Sequence, residues 1–121
     1  MKIRRIYNDL DKFLLPNRAL IIFGPRQVGK TTLMEDYLSI ATLKSKKVTG
    51  DDIMIHQVLG SQSLTEIKSF CEGYDLVVID EAQKIPNIGI AIKLMVDQIP
   101  GIRVWQQDHL PLNWPDRLVN P

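Results

Sequence analysis

Residues 19–32 read ALIIFGPRQVGKTT, and this stretch decides the fold class. Its continuous apolar start, residues 19–23, is typical of a strand that is buried on both faces of a parallel sheet. From Gly24 to Thr31 the sequence matches the pattern G-x-x-x-x-G-K-[ST], and residues 32–40 have the apolar spacing of a helix. A buried strand, a glycine-rich loop and a helix in this order predict a loop that binds phosphate.

The fixed positions of this loop have physical reasons. Gly24 and Gly29 let the backbone curl, so that successive N–H groups point into a hollow of anion size. Lys30 is expected to reach the β- and γ-phosphates of ATP, and the Thr31 hydroxyl is expected to bind Mg²⁺. The predicted nucleotide-binding residues are Gly24, Pro25, Arg26, Gln27, Val28, Gly29, Lys30, Thr31 and Thr32.

An ordinary glycine turn with Lys30 in water is the alternative interpretation of this loop. We disfavour it because the motif lies between a buried-strand pattern and a helix, which is the context that phosphate binding requires. For Arg26, contact with phosphate and exposure to water both stay open, and water is the favoured role.

A second buried-strand pattern, residues 76–79, ends in the acids Asp80 and Glu81. Because parallel strands bring functional residues to their carboxyl ends, these acids are expected beside the phosphate loop. Asp80 is predicted to hold Mg²⁺, directly or through water, and Glu81 to activate the water that attacks the γ-phosphate. Lys30 and Glu81 are therefore the predicted catalytic residues. Two solvated acids after a buried strand are the alternative, which we would prefer if the phosphate loop were missing.

Strands and helices alternate along the rest of the chain. Apolar spacings of three and four predict an amphipathic helix over residues 3–15. The other predicted elements are a strand at residues 47–49, a helix at residues 63–71 with Ser63 as its N-cap, a helix capped by Asn87, and a strand from Ile102. This order predicts an α/β fold, a three-layer P-loop NTPase sandwich around a parallel sheet.

Length and composition set outer limits on the function. The 121 residues fit one compact domain or a fragment of a larger one. A formal net charge of +1 argues neither for nor against nucleic acid. Cys71 is the only cysteine, so an internal disulfide is excluded and a reducing cytoplasmic setting is expected. No segment has the roughly 20 apolar residues that cross a bilayer, which argues against a membrane protein.

Two blocks of sequence carry a family resemblance. Residues 22–33, IFGPRQVGKTTL, and residues 80–87, DEAQKIPN, together resemble a group of prokaryotic AAA+ superfamily ATPases. Proteins of that group usually carry a second, poorly characterised C-terminal domain. The resemblance covers about residues 1–104 and implies that this range is an AAA-type nucleotide-binding core, cut short at its C-terminal end. It also implies assembly into homo-oligomeric rings, but it names neither a protein nor a nucleic-acid partner.

The chain departs from that family where a polar sensor residue is due, commonly within Ala-Thr-Gly-Ser-Ser-Ser-Phe. Residues 105–115 read WQQDHLPLNWP instead. If reading starts at the last base of the Trp105 codon, the first shifted codon must be Ala, and the next six can be Thr, Gly, Ser, Ser, Ser and Phe. We therefore predict that residues 105–121 are an atypical tail, and that a frameshift produced its first part, residues 105 to about 115. A divergent surface tail is the alternative.

A frameshifted tail would have no selected packing. Its apolar side chains, Trp105, Leu110, Leu112 and Trp114, are then expected to lack packing partners. The chain would also lack the sensor, the lid and the arginine finger that the resemblance implies, and loss of an arginine finger alone can cost about 10³–10⁵ in rate.

Three functions follow from these features. Binding and hydrolysis of ATP·Mg²⁺ by an AAA+ type P-loop module is the leading one. The first alternative is a nucleotide-binding fragment without turnover, and the second is a P-loop phosphotransferase, against which Glu81 and the absence of an Arg-rich lid segment argue.

Other polar residues are given no firm role. His56 and His109, taken with Cys71, show no spacing typical of metal ligands. Asp51 and Asp52 follow a predicted strand, and either approach the site or lie in a solvated turn.

Overall fold

A computed structural model describes residues 14–24 and 42–109, with the backbone alone for Phe23, Gly24 and His109. Its elements are β1 (Arg18–Gly24), β2 (Ser45–Thr49), α1 (Ile53–Leu59), α2 (Leu64–Cys71), β3 (Leu76–Asp80), a 3₁₀ turn (Ala82–Lys84), α3 (Ile88–Gln98) and β4 (Arg103–His109). The predicted helix at residues 32–40 lies outside the described residues, as does the predicted helix at residues 3–15 except for its last two positions, which are not helical.

The four strands form one sheet in the order β1-β4-β3-β2, and every neighbouring pair is parallel. Successive parallel strands need a crossover connection, and α1 with α2 supplies one between β2 and β3, while α3 supplies the next between β3 and β4. This arrangement confirms the predicted α/β fold with a parallel sheet and is consistent with a P-loop NTPase-like domain.

Alternating side chains of β3 divide the core between the two faces of the sheet. Val77 and Ile79 pack in a cluster with α2 and α3, whereas Leu76 and Val78 pack with Leu14 on the other face. The first four residues of β3 are fully buried, as a strand covered on both faces requires. The prediction for residues 76–79 is therefore confirmed.

The same prediction is wrong for β1. Leu20 and Ile22 pack against the cluster of Leu14, but Ala19 is exposed and the side chain of Ile21 is 48% exposed. The physical reason is position, because β1 is an end strand among the described strands, whereas β3 lies between two others.

Of the two predicted helix N-caps, one makes the expected capping hydrogen bond and the other does not. The Ser63 hydroxyl accepts a hydrogen bond from Glu66 N at 3.3 Å, so Ser63 caps α2 as expected. Asn87 precedes α3 but has a left-handed backbone, φ 59°, and its side chain makes no capping hydrogen bond. Helix α1 is not predicted; Asp52, which is exposed, caps it by accepting from Met54 N at 2.9 Å.

Strand β4 continues through His109 and crosses position 104, where the sequence places the end of the core. Trp105 is fully buried in the cluster of Leu14, and its Nε1 donates to Gln107 Oε1 at 3.1 Å. The expectation that Trp105 lacks packing partners is therefore wrong, because β4 is an inner strand and its alternation turns this side chain into the core. The frameshift itself stays a prediction.

Within the described ranges, no helix is long and apolar enough to cross a membrane.

Candidate functional site

The carboxyl ends of three neighbouring strands bring the start of the predicted phosphate loop and the two predicted acids to one edge of the sheet. Ile22 of β1, Gln107 of β4 and Asp80 of β3 are level in the strand register. Gly24, where the predicted phosphate loop begins, pairs with His109 two residues further along. Since neighbouring strands lie about 4.8 Å apart, β1 and β3 are separated by roughly 10 Å across β4. The start of the predicted phosphate loop and the two acids thus lie at the same edge of the sheet.

Most of the predicted loop lies outside the described residues. This applies to Pro25, Arg26, Gln27, Val28, Gly29, Lys30, Thr31 and Thr32, so their roles stay predictions. The described part of the predicted site consists of the Gly24 backbone, Asp80 and Glu81.

The chain turns sharply where β3 ends. Glu81 has a left-handed backbone, φ 52° and ψ 40°, and the 3₁₀ turn follows it directly. Its N–H donates to the Asp80 side chain, at 2.9 Å from Oδ1, and its carbonyl accepts from Lys84 N at 3.1 Å. A non-glycine residue in this region of φ and ψ carries strain that the surroundings must hold. Both acids are half-buried.

Gly50 closes the turn from the side of β2. Its N–H donates to the Asp80 carbonyl at 2.7 Å, and a Cβ atom at position 50 would overlap the Glu81 carbonyl oxygen. The imidazole Nε2 of His56 lies 2.6 Å from the Gly50 carbonyl oxygen, which gives this histidine a structural role. The position therefore requires glycine because two backbone segments approach each other closely.

Gln83 connects the turn to β4. Its side-chain Nε2 donates to Glu81 Oε1 at 3.0 Å, and its backbone N–H donates to Asp108 Oδ1 at 3.1 Å. Asp108 is only 4% exposed, and its second oxygen accepts from Gln106 Nε2 at 3.0 Å. Sequence reasoning assigned no role to Gln83 or Asp108. The block DEAQ contains Gln83 and could have drawn attention to it, whereas nothing local in the sequence marks Asp108.

Asp51 also belongs to the surroundings of the turn. Its carboxylate binds Lys84 Nζ at 2.5 Å, with the two side chains 58% and 42% exposed. Exposed ion pairs of this kind contribute about 0–1 kcal/mol, so this pair contributes little to the rigidity of the turn.

The donor atoms at this edge suit a hard divalent cation. Asp80 and Glu81 supply carboxylate oxygens, which are the ligands that Mg²⁺ prefers, whereas both oxygens of Asp108 accept hydrogen bonds, from Gln83 and from Gln106. In the part of the chain that the structure describes, no group of three or more His, Cys, Asp or Glu side chains forms a metal-binding cluster by itself. A cation here would therefore use Asp80 together with oxygens from a nucleotide and from the predicted loop, as the carboxylate-and-phosphate mode of Mg²⁺ binding requires.

Comparison with known proteins gives evidence about this chain that is independent of the geometry of the site. The sequence model of a family described as an AAA domain matches residues 16–108, which span β1 and all but the last residue of β4. No curated protein matches the chain significantly. The matched range contains the loop motif, both acids and the parallel sheet that brings their strands together. The chain therefore belongs to this AAA domain family of nucleotide-binding, ATPase-like modules.

Proposed function

We propose that this chain binds ATP·Mg²⁺ and hydrolyses it in an AAA-type P-loop site. One observation carries the proposal: β4 lies between β1 and β3, so the start of the loop motif and the acids Asp80 and Glu81 share the carboxyl edge of one parallel sheet. Ligands of open α/β sheets bind in the crevice outside this edge.

Each residue has a definite part in this function. The loop backbone from Gly24 to Thr32 cradles the phosphates, and the Lys30 ammonium neutralises charge on the β- and γ-phosphates. Thr31 and Asp80 hold the cation, which supplies further neutralisation of phosphate charge when bound. Glu81 accepts a proton from the attacking water, since its carboxylate lies at the same edge.

Nucleotide binding without turnover is the second candidate. It is favoured by the end of β4, where Gln107 and Asp108 stand in place of the sensor motif that the family resemblance implies. A sensor residue acts on the reaction, so its replacement is expected to slow hydrolysis while nucleotide binding persists. Phosphotransfer is disfavoured, because Glu81 suits the activation of water rather than of an added acceptor.

The deciding experiment titrates a fluorescent ATP analogue in the presence of Mg²⁺ and then measures phosphate release from ATP on the same samples. We expect Lys30→Ala to abolish binding, and Lys68→Ala, on an exposed position of α2, to leave it unchanged. Binding with phosphate release supports the ATPase. Binding without release selects the inert module, and release that requires an added acceptor selects the phosphotransferase.

The cellular setting and the assembly are part of the same proposal. We expect a cytoplasmic protein and a homo-oligomer that forms or tightens with ATP·Mg²⁺. Light scattering after size-exclusion chromatography, with and without nucleotide, measures this directly. A mass that stays monomeric in both conditions contradicts the proposed assembly.

A further inference from the structure

The backbone conformation of Glu81 is not one that a glutamate adopts by preference. A left-handed conformation at a non-glycine residue persists only where neighbouring groups hold it, and Glu81 has φ 52°. Gly50 packs against its carbonyl, which constrains the main chain but leaves the carboxylate to be oriented by side-chain contacts. One contact of this kind is with Gln83 Nε2, 3.0 Å from Glu81 Oε1.

Gln83 is itself held from a different strand. Its backbone N–H donates to Asp108 Oδ1 at 3.1 Å, although the two residues are 25 positions apart in sequence. Asp108 is nearly completely buried, and hydrogen bonds to both of its oxygens, from Gln83 and from Gln106, offset the cost of burying its charge. This carboxylate is therefore a fixed anchor rather than a mobile surface acid.

Strand β4 connects this anchor to the other half of the site. Asp108 pairs in register with Phe23 of β1, the residue immediately before Gly24 and the predicted phosphate loop. The same strand pairs with β3 up to Asp80. Asp108 thus lies on the one described strand that is hydrogen-bonded both to the strand before the loop and to the strand before the acids.

We propose that Gln83 and Asp108 are a positioning pair: Asp108 anchors the Gln83 backbone, and the Gln83 amide orients the Glu81 carboxylate relative to the phosphate loop. The consequence for catalysis rests on the proposed function, because it takes Glu81 as the base. A base must lie within about 2.6–3.2 Å of the water that it activates. A displacement of about 1 Å costs about 10²-fold in rate.

The kinetic test separates positioning from general destabilisation. Gln83→Leu removes the amide, Asp108→Ala removes the anchor, and Asp108→Asn keeps one carbonyl oxygen that accepts from Gln83 N–H. We expect kcat for ATP to fall about 10–10²-fold in the first two variants with KM nearly unchanged, and Asp108→Asn to recover most of the loss. Gln98→Leu and Asp97→Ala, at exposed positions of α3, serve as matched controls.

A second readout does not depend on turnover. In nitrogen-15 NMR spectra, Glu81→Ala should shift the side-chain amide signals of Gln83. Asp108→Ala should speed hydrogen exchange of the Gln83 backbone N–H by about tenfold or more. Asp108→Asn should keep that exchange slow. If the native chain releases no phosphate, the proposed function fails, and these signals alone decide the positioning. Unmoved Gln83 signals, or native kcat in Gln83→Leu, overturn the positioning pair.

Discussion

Gly50 and Glu81 come from different strand ends and touch through their backbones, so closely that a Cβ atom on Gly50 would overlap the Glu81 carbonyl oxygen. The Gly50 N–H also donates to the carbonyl of Asp80 at 2.7 Å. The turn after β2 therefore packs directly against the acidic turn after β3. This backbone contact explains how Glu81 is kept in its strained, left-handed conformation at the candidate site.

Gly50→Ala should destabilise the fold and displace Glu81 at the same time. Overpacking of a closely fitted site costs about 1–3 kcal/mol, and here the obstacle is backbone that cannot rotate away. We expect a lower urea midpoint and a fall in kcat for ATP that exceeds any fall in nucleotide affinity.

Gly89→Ala is the matched control for this substitution. Gly89 lies in α3, and a Cβ atom there meets nothing within 4 Å. Alanine is favoured over glycine in a helix by up to about 1 kcal/mol, so the control should be neutral or stabilising. Equal loss in both variants would show that the contact between Gly50 and Glu81 has no special importance.

Glu81→Gln should separate binding from chemistry. Glutamine keeps a side-chain oxygen that accepts from Gln83 Nε2 but cannot take a proton from water. We expect the affinity for the ATP analogue to stay within about twofold, and phosphate release to fall about 10²–10⁴-fold. Glu72→Gln, at the exposed end of α2, is the matched control. A turnover in Glu81→Gln equal to that of the native chain removes Glu81 from the mechanism.

The sequence was informative where a residue's neighbours along the chain determine its surroundings. The run Leu76–Ile79 predicts a strand buried on both faces, and all four side chains are fully buried. An equally apolar run in β1 leads to the same prediction, yet Ile21 is 48% exposed. The difference is the place of each strand in the order β1-β4-β3-β2, which neither run encodes.

The candidate site shows the same division. Asp80 and Glu81 are identifiable because acids after a buried strand belong to a known pattern, and the structure places them at the expected edge of the sheet. Gly50 and Asp108 meet this turn only through strand register and crossover geometry. Such contacts join residues 25 or more positions apart, so no local motif could have revealed them.

Trp105→Ala tests whether the start of the supposed tail belongs to the core. Trp105 is fully buried with Leu76 and Val78, and removal of a buried Trp side chain costs about 3–5 kcal/mol. We expect urea unfolding to show a loss of this size, with a smaller loss for Trp105→Phe. Ile53→Ala, at a side chain 65% exposed, should change stability by less than about 0.5 kcal/mol. A similarly small effect at Trp105 would place this residue outside the core.

The frameshift is tested by the nucleotide sequence of the gene. If it is correct, the codons of residues 105–115, read from the last base of the Trp105 codon, encode Ala-Thr-Gly-Ser-Ser-Ser-Phe-Glu-Leu-Ala. The Ala at the start and the Leu-Ala at the end are forced by the genetic code, so the seven variable codons from Thr to Glu carry the test. Codons that cannot yield this peptide leave a divergent tail as the explanation of the altered motif.

Cys71 should make stability depend on pH in the alkaline range. Burial raises the pKa of its thiol from 9.0 to about 11, against a smaller lowering by Lys46. Because the folded state favours the protonated thiol, its contribution is fully present below pH 9 and is lost as the pH rises towards 11. We expect the free energy of unfolding to fall over this window in the native chain, and to fall less in Cys71→Ala. Equal slopes in the two proteins would mean that the thiol titrates alike in the folded and unfolded states.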